Sequence, residues 1–184
     1  MAQPLPFLAP LVTLLFLAAA TTTAADGGGY AGNGNGGMTH LHFYFHEIYT
    51  AGPNGTVAAV ASPPAGASGS AFGFGSVGVF DDMLREGADP ASRLIGRAQG
   101  LAAGASLSEV AITTLLNFVF TDGPYNGSTL AMFGRAVLGS VMERPIVGGT
   151  GAFRMARGYT LSRMVKSADP ENLLVLEYDA YVFH

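Results

Sequence analysis

LHFYFHEI, at positions 41–48, is the segment that decides the fold class, because its side chains alternate with the two-residue period of an extended strand. Phe43, Phe45 and Glu47 lie on one face, and His42 and His46 lie on the other. Both faces carry bulky side chains, so neither is expected to be fully exposed to water. The segment is therefore predicted to be a strand that is covered on both sides.

The same alternation, interrupted by glycine and proline, continues to the C-terminus. Turn residues at regular intervals between short alternating runs are typical of a protein built from many short strands. Further strands are predicted at 56–61, 75–80, 94–101, 115–121, 129–137, 144–147, 153–163 and 173–183. No convincing amphipathic helix of three turns is found in the sequence, so the fold class is predicted to be all-β.

About eight or nine antiparallel strands in one domain favour closure into a barrel. Closure removes the unpaired strand edges that an open sheet exposes to other chains. A barrel of about eight strands has room inside for one small ligand. The predicted fold is an eight-stranded antiparallel β-barrel, and a two-sheet sandwich is the alternative.

The N-terminal residues 1–25 contain no charged side chain, and positions 11–20 form an unbroken apolar run. This pattern predicts a secretory signal peptide, cleaved near Ala24 or Ala25. The run is shorter than the roughly 20 apolar residues of a membrane span, so no membrane attachment is expected after cleavage. Residues 26–37 are rich in glycine and asparagine and are predicted to be a disordered leader. The barrel domain is predicted to occupy residues 38–184.

The composition argues against several classes of partner and cofactor. The net charge is −4 and only 12% of residues are charged, so no basic surface for nucleic acid is expected. The chain has no cysteine. His42 and His46 would stand about 13 Å apart along a strand, too far to bind one metal ion. The glycines at 147–151 lack the lysine of a phosphate-binding loop and predict a tight hairpin instead.

Several charged residues fall inside strands that are otherwise apolar or aromatic. Charges in such positions are costly unless they are paired or functional. Pairing with one another and with Glu177 is the expected explanation for Asp81, Asp82, Arg97, Arg154 and Arg157. Glu47 is the best functional candidate, because an apolar and aromatic setting would raise the pKa of its carboxyl.

Two N-glycosylation sequons fall in predicted turns, at Asn54-Gly55-Thr56 and Asn126-Gly127-Ser128. In an exported chain both asparagines are expected to be able to carry glycans. Asn126 also suits the first position of an Asn-Gly turn, and the two roles are compatible.

A series of short motifs, taken in order, resembles the plant dirigent family over nearly the whole chain after the leader. Each motif alone is weak, but their combination is specific. They are HFYFHEI at 42–48, GPN at 52–54, GFG at 73–75, FDD at 80–82, GRAQG at 96–100, NFVF at 117–120, YNGSTL at 125–130, PIVGGTG at 145–151, FRMARGY at 153–159 and EY at 177–178.

The resemblance implies a closed barrel like those of allene oxide cyclases and lipocalins, secreted to the apoplast and assembled as a homodimer or homotrimer. It implies a protein that directs the coupling of two phenoxy radicals, such as those of coniferyl alcohol, toward one stereoisomer of a lignan. A separate laccase or peroxidase makes the radicals. The resemblance therefore implies no metal, redox centre or other cofactor in the protein itself.

The resemblance also implies roles for individual residues. Glu47 matches the family's acid in the first strand, which is usually an aspartate between histidine and isoleucine. It is expected to protonate a quinone methide and assist ring closure, and Arg144 is expected to contact an anionic or phenolic oxygen. The expected aromatic cavity walls are Phe43, Phe45, Phe118, Phe120 and Tyr125.

The chain departs from lignan-forming members at three places. LAA at 101–103 stands where those members carry aromatics that include tyrosine. MERP at 142–145 stands for Arg-Glu-Met-Pro, so the arginine is displaced by two positions and is expected to stay on the same strand face. GRA at 134–136 lacks the acid that some members carry there. A coniferyl alcohol pocket is therefore not expected to be conserved intact.

Two other functions stay open at this point. One is an isomerase or cyclase on the same barrel that acts on a closed-shell quinone methide or a related small molecule, which the missing pocket tyrosines favour. The other is a non-catalytic defence or cell-wall protein that binds phenolics. Turnover without an added oxidase would distinguish the first of these from a radical-coupling protein.

Overall fold

The computed structural model describes residues 37–50, 52–64 and 72–184. Within these segments the chain forms nine β-strands and two single-turn 3₁₀ helices, Gly123–Tyr125 and Gly151–Phe153. The strands are β1 (Met38–Ile48), β2 (Val57–Ala61), β3 (Val77–Arg85), β4 (Leu94–Gly104), β5 (Ala111–Phe120), β6 (Thr129–Val137), β7 (Met142–Thr150), β8 (Arg157–Val165) and β9 (Leu173–Phe183). The predicted signal peptide lies outside the described residues, as does all of the predicted leader except Gly37. No helix in the described segments is long and apolar enough to cross a membrane.

The strands form one antiparallel sheet that closes on itself. β1 pairs with β9 along its whole length, and Tyr44–His46 of β1 also pair with Met83–Arg85 of β3. This second pairing closes a ring of eight strands in the order β1-β9-β8-β7-β6-β5-β4-β3. The short β2 pairs with the other half of β3, beginning opposite Phe80. The fold is therefore the predicted eight-stranded barrel, and the sandwich alternative is excluded.

The predicted strands at 129–137 and 173–183 agree residue for residue with β6 and β9. β3 is longer than predicted and continues through Asp81 and Asp82 to Arg85. The two aspartates do not end the strand, because Asp81 points outward to Arg97 while Asp82 is buried inside. A pair of adjacent charges in an extended segment thus marks opposite faces of one strand rather than a turn.

The predicted hairpin at 147–151 is wrong in its details, because β7 runs on through Gly148 and Gly149 to Thr150. Of these glycines only Gly151 has a positive φ, 61°, and it begins the 3₁₀ turn that ends at Phe153. β8 consequently starts at Arg157 rather than at Phe153. A Cβ on Gly149 would lie 2.5 Å from the Thr129 carbonyl oxygen, so glycine is required there by close approach of the backbone.

The barrel interior is divided into two halves. We call the end where β1 stops and β9 starts the upper end, and the opposite end the lower end. The lower half is filled by an aromatic plug. Its members, Phe43, Phe118, Phe120, Tyr125 and Phe153, have ring centroids 4.7–6.4 Å apart. Rings at these separations in tilted and edge-to-face arrangements add to the stability gained from burial alone.

The plug predicts a large stability cost for Phe118→Ala. The Phe118 ring is fully buried against Phe43 and Tyr178, so its removal leaves a cavity that the rigid strands cannot close. The free energy of unfolding is expected to fall by about 3–5 kcal/mol. Asn117→Ala, at the neighbouring exposed position of β5, is the control and is expected to change it by less than about 0.5 kcal/mol. Urea unfolding measures both; equal midpoints for the two variants would contradict the role of the plug.

Candidate functional site

The upper half of the barrel contains a cavity of about 130 Å³ that continues into a second one of about 260 Å³. Both are lined by Glu47, Tyr49, Phe72, Phe80 and Ala102. The rest of the first cavity's wall is apolar apart from Thr114, Arg144 and Tyr178. An apolar cavity with a few polar groups that converge on it is the usual form of a small-molecule site.

Glu47 projects into this cavity from the upper end of β1. Its side chain is 3% exposed, and one carboxyl oxygen, Oε1, is buried without a hydrogen-bond partner among the described residues. Burial raises the pKa of this carboxyl to about 7, and a hydrogen bond with Tyr49 opposes the shift. Glu47 is therefore a neutral acid in mildly acidic solution and can donate its proton to an oxygen in the cavity.

Asp82 is a second buried acid, on β3. Its Oδ1 accepts a hydrogen bond from the Thr56 hydroxyl, and its Oδ2 has no partner in the described part of the chain. Burial and then the nearby Glu47 raise the pKa of Asp82 to about 8. The sequence-based expectation that Asp82 pairs with an arginine is wrong, because alternation turns its side chain into the barrel, and no arginine forms an ion pair with it in the described part of the chain.

Arg144 is the third ionisable group of the upper half and is 2% exposed. Its guanidinium donates to the Tyr178 hydroxyl at 2.6 Å, to Ser162 and more weakly to Thr114 at 3.4 Å. Its Nε has no partner, and no carboxylate pairs with it among the described residues. The result is a buried cation that faces the cavity and is held by neutral groups.

The predicted aromatic walls are divided between the cavity and the plug. Phe45 lines the cavity, but Phe43, Phe118, Phe120 and Tyr125 do not. All but Tyr125 lie on inward faces of strands, as expected. They occupy the lower half of the barrel, and alternation alone does not reveal how far along its axis an inward residue lies.

The predicted surface ion pairs are only partly present. Arg97 pairs with Asp81 through Nε and Oδ1 at 2.8 Å. Arg157 instead donates to the backbone carbonyl groups of Val147 and Ala156. Arg154 makes no ion pair with any residue of the described segments. Glu177 pairs with Arg163, at 2.6 Å, instead of with one of the three arginines expected from the sequence.

The remaining sequence-based candidates lie away from the cavity interior. Asn54 and Asn126 are exposed, each in a turn as predicted. His42 contacts Glu177, and His46 is buried with its Nε2 3.0 Å from the Gly87 carbonyl oxygen. Within the described part of the chain no group of three or more histidine, aspartate or glutamate side chains is placed to bind a metal ion.

The fold and the cavity are accompanied by clear similarity to known proteins. The family described as dirigent-like protein matches residues 38–183. The chain belongs to the dirigent family. Dirigent protein 1 of Arabidopsis thaliana is 39% identical over 187 aligned residues, which span the whole of both chains. Pterocarpan synthase 1 of Glycyrrhiza echinata is 42% identical over 149 residues, 80% of this chain and 78% of that protein.

A solved structure supports the same assignment. The pterocarpan synthase dirigent protein GePTS1 superposes on this dirigent protein with a TM-score of 0.73. Their sequences are 41% identical, and the match covers 80% of this chain and 85% of the other. The closed barrel is therefore shared with a dirigent protein of known structure.

The sequence did not point to several residues of the site. Tyr49 follows a strand end, and Thr114, Ser162 and Tyr178 are ordinary inward positions of strands. Asp82 could have been recognised from the sequence as a buried acid, because the FDD motif in a strand necessarily places one of its two aspartates on the inner face. Ala102 is the inward member of LAA at 101–103 and lines both cavities.

The two buried acids predict that the free energy of unfolding decreases as the pH rises from about 4.5 to about 8. Folding raises the pKa of Glu47 from 4.5 to about 7 and that of Asp82 from 3.8 to about 8. In this window the folded state binds more protons than the unfolded state, so each increase in pH favours unfolding. Urea unfolding at a series of pH values measures the slope.

Glu47→Gln is expected to remove about 3 kcal/mol of this pH dependence, because one of the two titrating groups is lost. Glu143→Gln, which changes an exposed carboxyl of β7, is the matched control and should leave the slope as it is. A wild-type slope that is flat or positive over this window would be incompatible with the two buried acids.

Proposed function

We propose that this dirigent protein imposes stereoselectivity on the coupling of two phenylpropanoid phenoxy radicals, with coniferyl alcohol as the reference substrate. The observation that carries the proposal is the apolar cavity that holds a neutral acid, Glu47, and an unpaired cation, Arg144. Membership of the dirigent family supports the stereo-directing role. The radicals are supplied by a separate oxidase such as a laccase or peroxidase.

The apolar walls supply the first part of the function, which is orientation. Phenylpropanoid rings are planar and largely apolar, and Phe45, Phe72 and Phe80 offer aromatic surface to them. Holding two radicals with fixed faces opposed makes their combination effectively unimolecular and allows one stereochemical outcome. Glu47 lines both cavities, so a ligand in either one can contact it.

Glu47 supplies the second part, which is proton transfer. Combination of two radicals forms one carbon–carbon bond and leaves quinone methide groups. Glu47 donates its proton to a quinone methide carbonyl oxygen while a side-chain hydroxyl of the ligand attacks the methide carbon. The hydroxyl then loses its proton to the Glu47 carboxylate, so the ring closure is a net isomerisation and the acid is restored.

Arg144 supplies charge stabilisation. Its guanidinium is held by three neutral hydroxyl groups, and a ligand oxygen that develops negative charge is the acceptor that it lacks. A phenolate or a quinone methide carbonyl oxygen has this property. Arg144 is therefore proposed to bind the oxygen of the ring that lies deepest in the cavity.

A second function has its own support. Two relatives are named pterocarpan synthases, and this chain is 41–42% identical to them over 80% of its length. Ala102 also leaves more space than an aromatic side chain at the cavity wall. The same acid and cation would serve an isomerase or cyclase that acts on a preformed quinone methide, in which case turnover requires no oxidase.

We further propose that the protein acts outside the cell, in the apoplast, as a homo-oligomer. Export is supported by the apolar run at 11–20. Association with a second copy is supported by an exposed apolar row across four neighbouring strands. Its members, Val79, Leu101, Leu115 and Phe133, face one another in register. Contiguous exposed apolar surface of this kind is typical of protein interfaces.

Stereoselective coupling is tested with coniferyl alcohol, a laccase and the purified protein, followed by chiral chromatography of the lignans. The wild type is expected to yield an excess of one enantiomer. Glu47→Gln is expected to slow protein-directed ring closure by about 100-fold or more, because an amide cannot donate the proton. Glu143→Gln is the matched control.

Three outcomes separate the proposed functions. A racemic product at saturating wild-type protein would reject radical coupling of coniferyl alcohol. Conversion of a synthetic quinone methide without oxidase, abolished by Glu47→Gln, would favour the cyclase. Binding of phenolics without any effect on products, unaltered in Glu47→Gln, would favour a non-catalytic binding protein.

The oligomer is tested with Leu115→Lys, which places a charge in the middle of the apolar row. Light scattering during size-exclusion chromatography is expected to show a change from oligomer to monomer for this variant. Asn117→Lys, the next exposed position on β5, is the control and should keep the wild-type mass. A monomeric wild type would refute the interface.

A further inference from the structure

Asp82 and Glu47 are cross-strand neighbours at the point where the barrel closes. The ladder between β1 and β3 pairs Tyr44 with Arg85 and His46 with Met83. One further step in the same register sets Glu47 opposite Asp82, with both side chains on the inner face. Directly opposite residues of an antiparallel pair have Cβ atoms about 5 Å apart. The two carboxyl groups therefore share one apolar site.

Thr56 determines which oxygen of Asp82 can carry a proton. The Thr56 hydroxyl oxygen accepts a hydrogen bond from the backbone N–H of Ile48, with the nitrogen 2.8 Å away. The single proton of this hydroxyl is donated in a hydrogen bond to Asp82 Oδ1. Oδ1 is thus occupied as an acceptor, and the proton of the neutral acid belongs on Oδ2. Oδ2 is buried and has no partner among the described residues, as is also true of Glu47 Oε1.

The charged and titratable groups around Asp82 come from four strands and one loop. Glu47 of β1 and Tyr49 beyond it lie on one side. Asp81 and Arg97 act from the outer face of β3 and β4, where they are bound to each other. Arg144 lines the cavity from β7, but it makes no ion pair with either buried carboxyl in the described structure. Neither carboxyl has a cation as a direct partner.

We propose that Asp82 is a positioning residue that acts through Glu47: the two buried carboxyls titrate as one coupled pair, so that Glu47 keeps a proton for the cavity to a higher pH than it would alone. Asp82 is not proposed to touch the ligand, because it lines neither cavity. The inference rests on the proposed function of Glu47 as the acid of the site. It adds to that function a neighbouring carboxyl that keeps the acid protonated.

The physical basis is that two like charges are not both formed readily in an apolar site. The pair therefore loses its protons in two steps, and the last proton is held to a higher pH than a lone Glu47 would hold its own. When Glu47 has given its proton to a ligand oxygen, a protonated Asp82 keeps its own, so no second negative charge stands beside the Glu47 carboxylate. The proton released by the attacking hydroxyl then restores the pair, so no proton is gained or lost overall.

Carboxyl ¹³C NMR of the full chain, labelled in aspartate and glutamate, tests the pair without a ligand. The wild type is expected to show two titration steps at both the Glu47 and the Asp82 carboxyl between about pH 4 and about pH 10. In Asp82→Asn and in Glu47→Gln the remaining carboxyl should titrate in one step, at a lower pH than the last step of the wild type. Single steps that are identical in all three proteins would overturn the pair.

The coupling assay, with coniferyl alcohol and laccase over a pH series, tests the consequence for the reaction. In Asp82→Asn the loss of protein-directed ring closure at high pH is expected to occur about one pH unit lower than in the wild type, with ring closure retained at low pH. A uniform loss of ring closure at every pH, without a shift, would show a structural role only and would overturn the inference. Undiminished ring closure in Glu47→Gln would instead overturn the proposed role of Glu47.

Variants of Thr56 test the pair by a shift of the last titration step in the opposite direction, to higher pH. Thr56→Val removes the hydroxyl that stabilises ionised Asp82, so the last titration step should move to higher pH. Thr56→Ser keeps the hydroxyl and should leave that step in place. Both are prepared without N-glycans, since only the serine variant retains the Asn54 sequon. A last step that does not move in Thr56→Val would contradict the assignment of the proton to Oδ2.

Discussion

The closure of the barrel by β1 is the constraint on which the site depends. β1 is paired over eleven residues to β9 but only through Tyr44–His46 to β3. Beyond His46 the strand is held on that side by Thr56, whose backbone and hydroxyl both bind Ile48. The inward residue at this transition is Glu47. The acid of the site is therefore placed by the last hydrogen bonds that close the sheet, and its neighbour across the seam is Asp82.

Tyr178 joins the two halves of the interior. Its ring stacks on Phe43 with centroids 5.4 Å apart and meets Phe118 edge to face, so it is the uppermost ring of the packed lower half. Its hydroxyl accepts a hydrogen bond from the Arg144 guanidinium, and the Cζ of that guanidinium lies 5.3 Å from the Tyr178 ring centroid. The aromatic packing that fills the lower half thus also fixes the cation of the upper half. A rigid base under the cavity is what orientation of a ligand requires.

The sequence predicts the fold well because barrel closure follows from period-two alternation and regular turns, both of which are local. It also predicts which side of a strand faces inward, and so it identified Glu47 and Phe45, whereas Arg144 was expected only from the resemblance to dirigent motifs. It does not predict depth along the barrel axis, because depth depends on the stagger between strands. Phe43 and Phe118 were for this reason expected in the cavity wall and are found below it. Asp82 was expected to pair with an arginine because composition alone cannot show which of two adjacent aspartates is buried.

The charges of the upper half are arranged so that they do not cancel. A buried cation normally requires an anionic partner to offset its desolvation. Here the nearby carboxyls are kept neutral by burial and by each other, and Arg144 is left with hydroxyl acceptors. A salt bridge between Glu47 and Arg144 would have left neither group free to interact with a ligand. Kept apart, they offer a proton to one ligand oxygen and a positive charge to another, in walls too apolar to screen either. This arrangement favours a ligand whose own charge is redistributed during the reaction, as in ring closure of a quinone methide, over one that is merely bound.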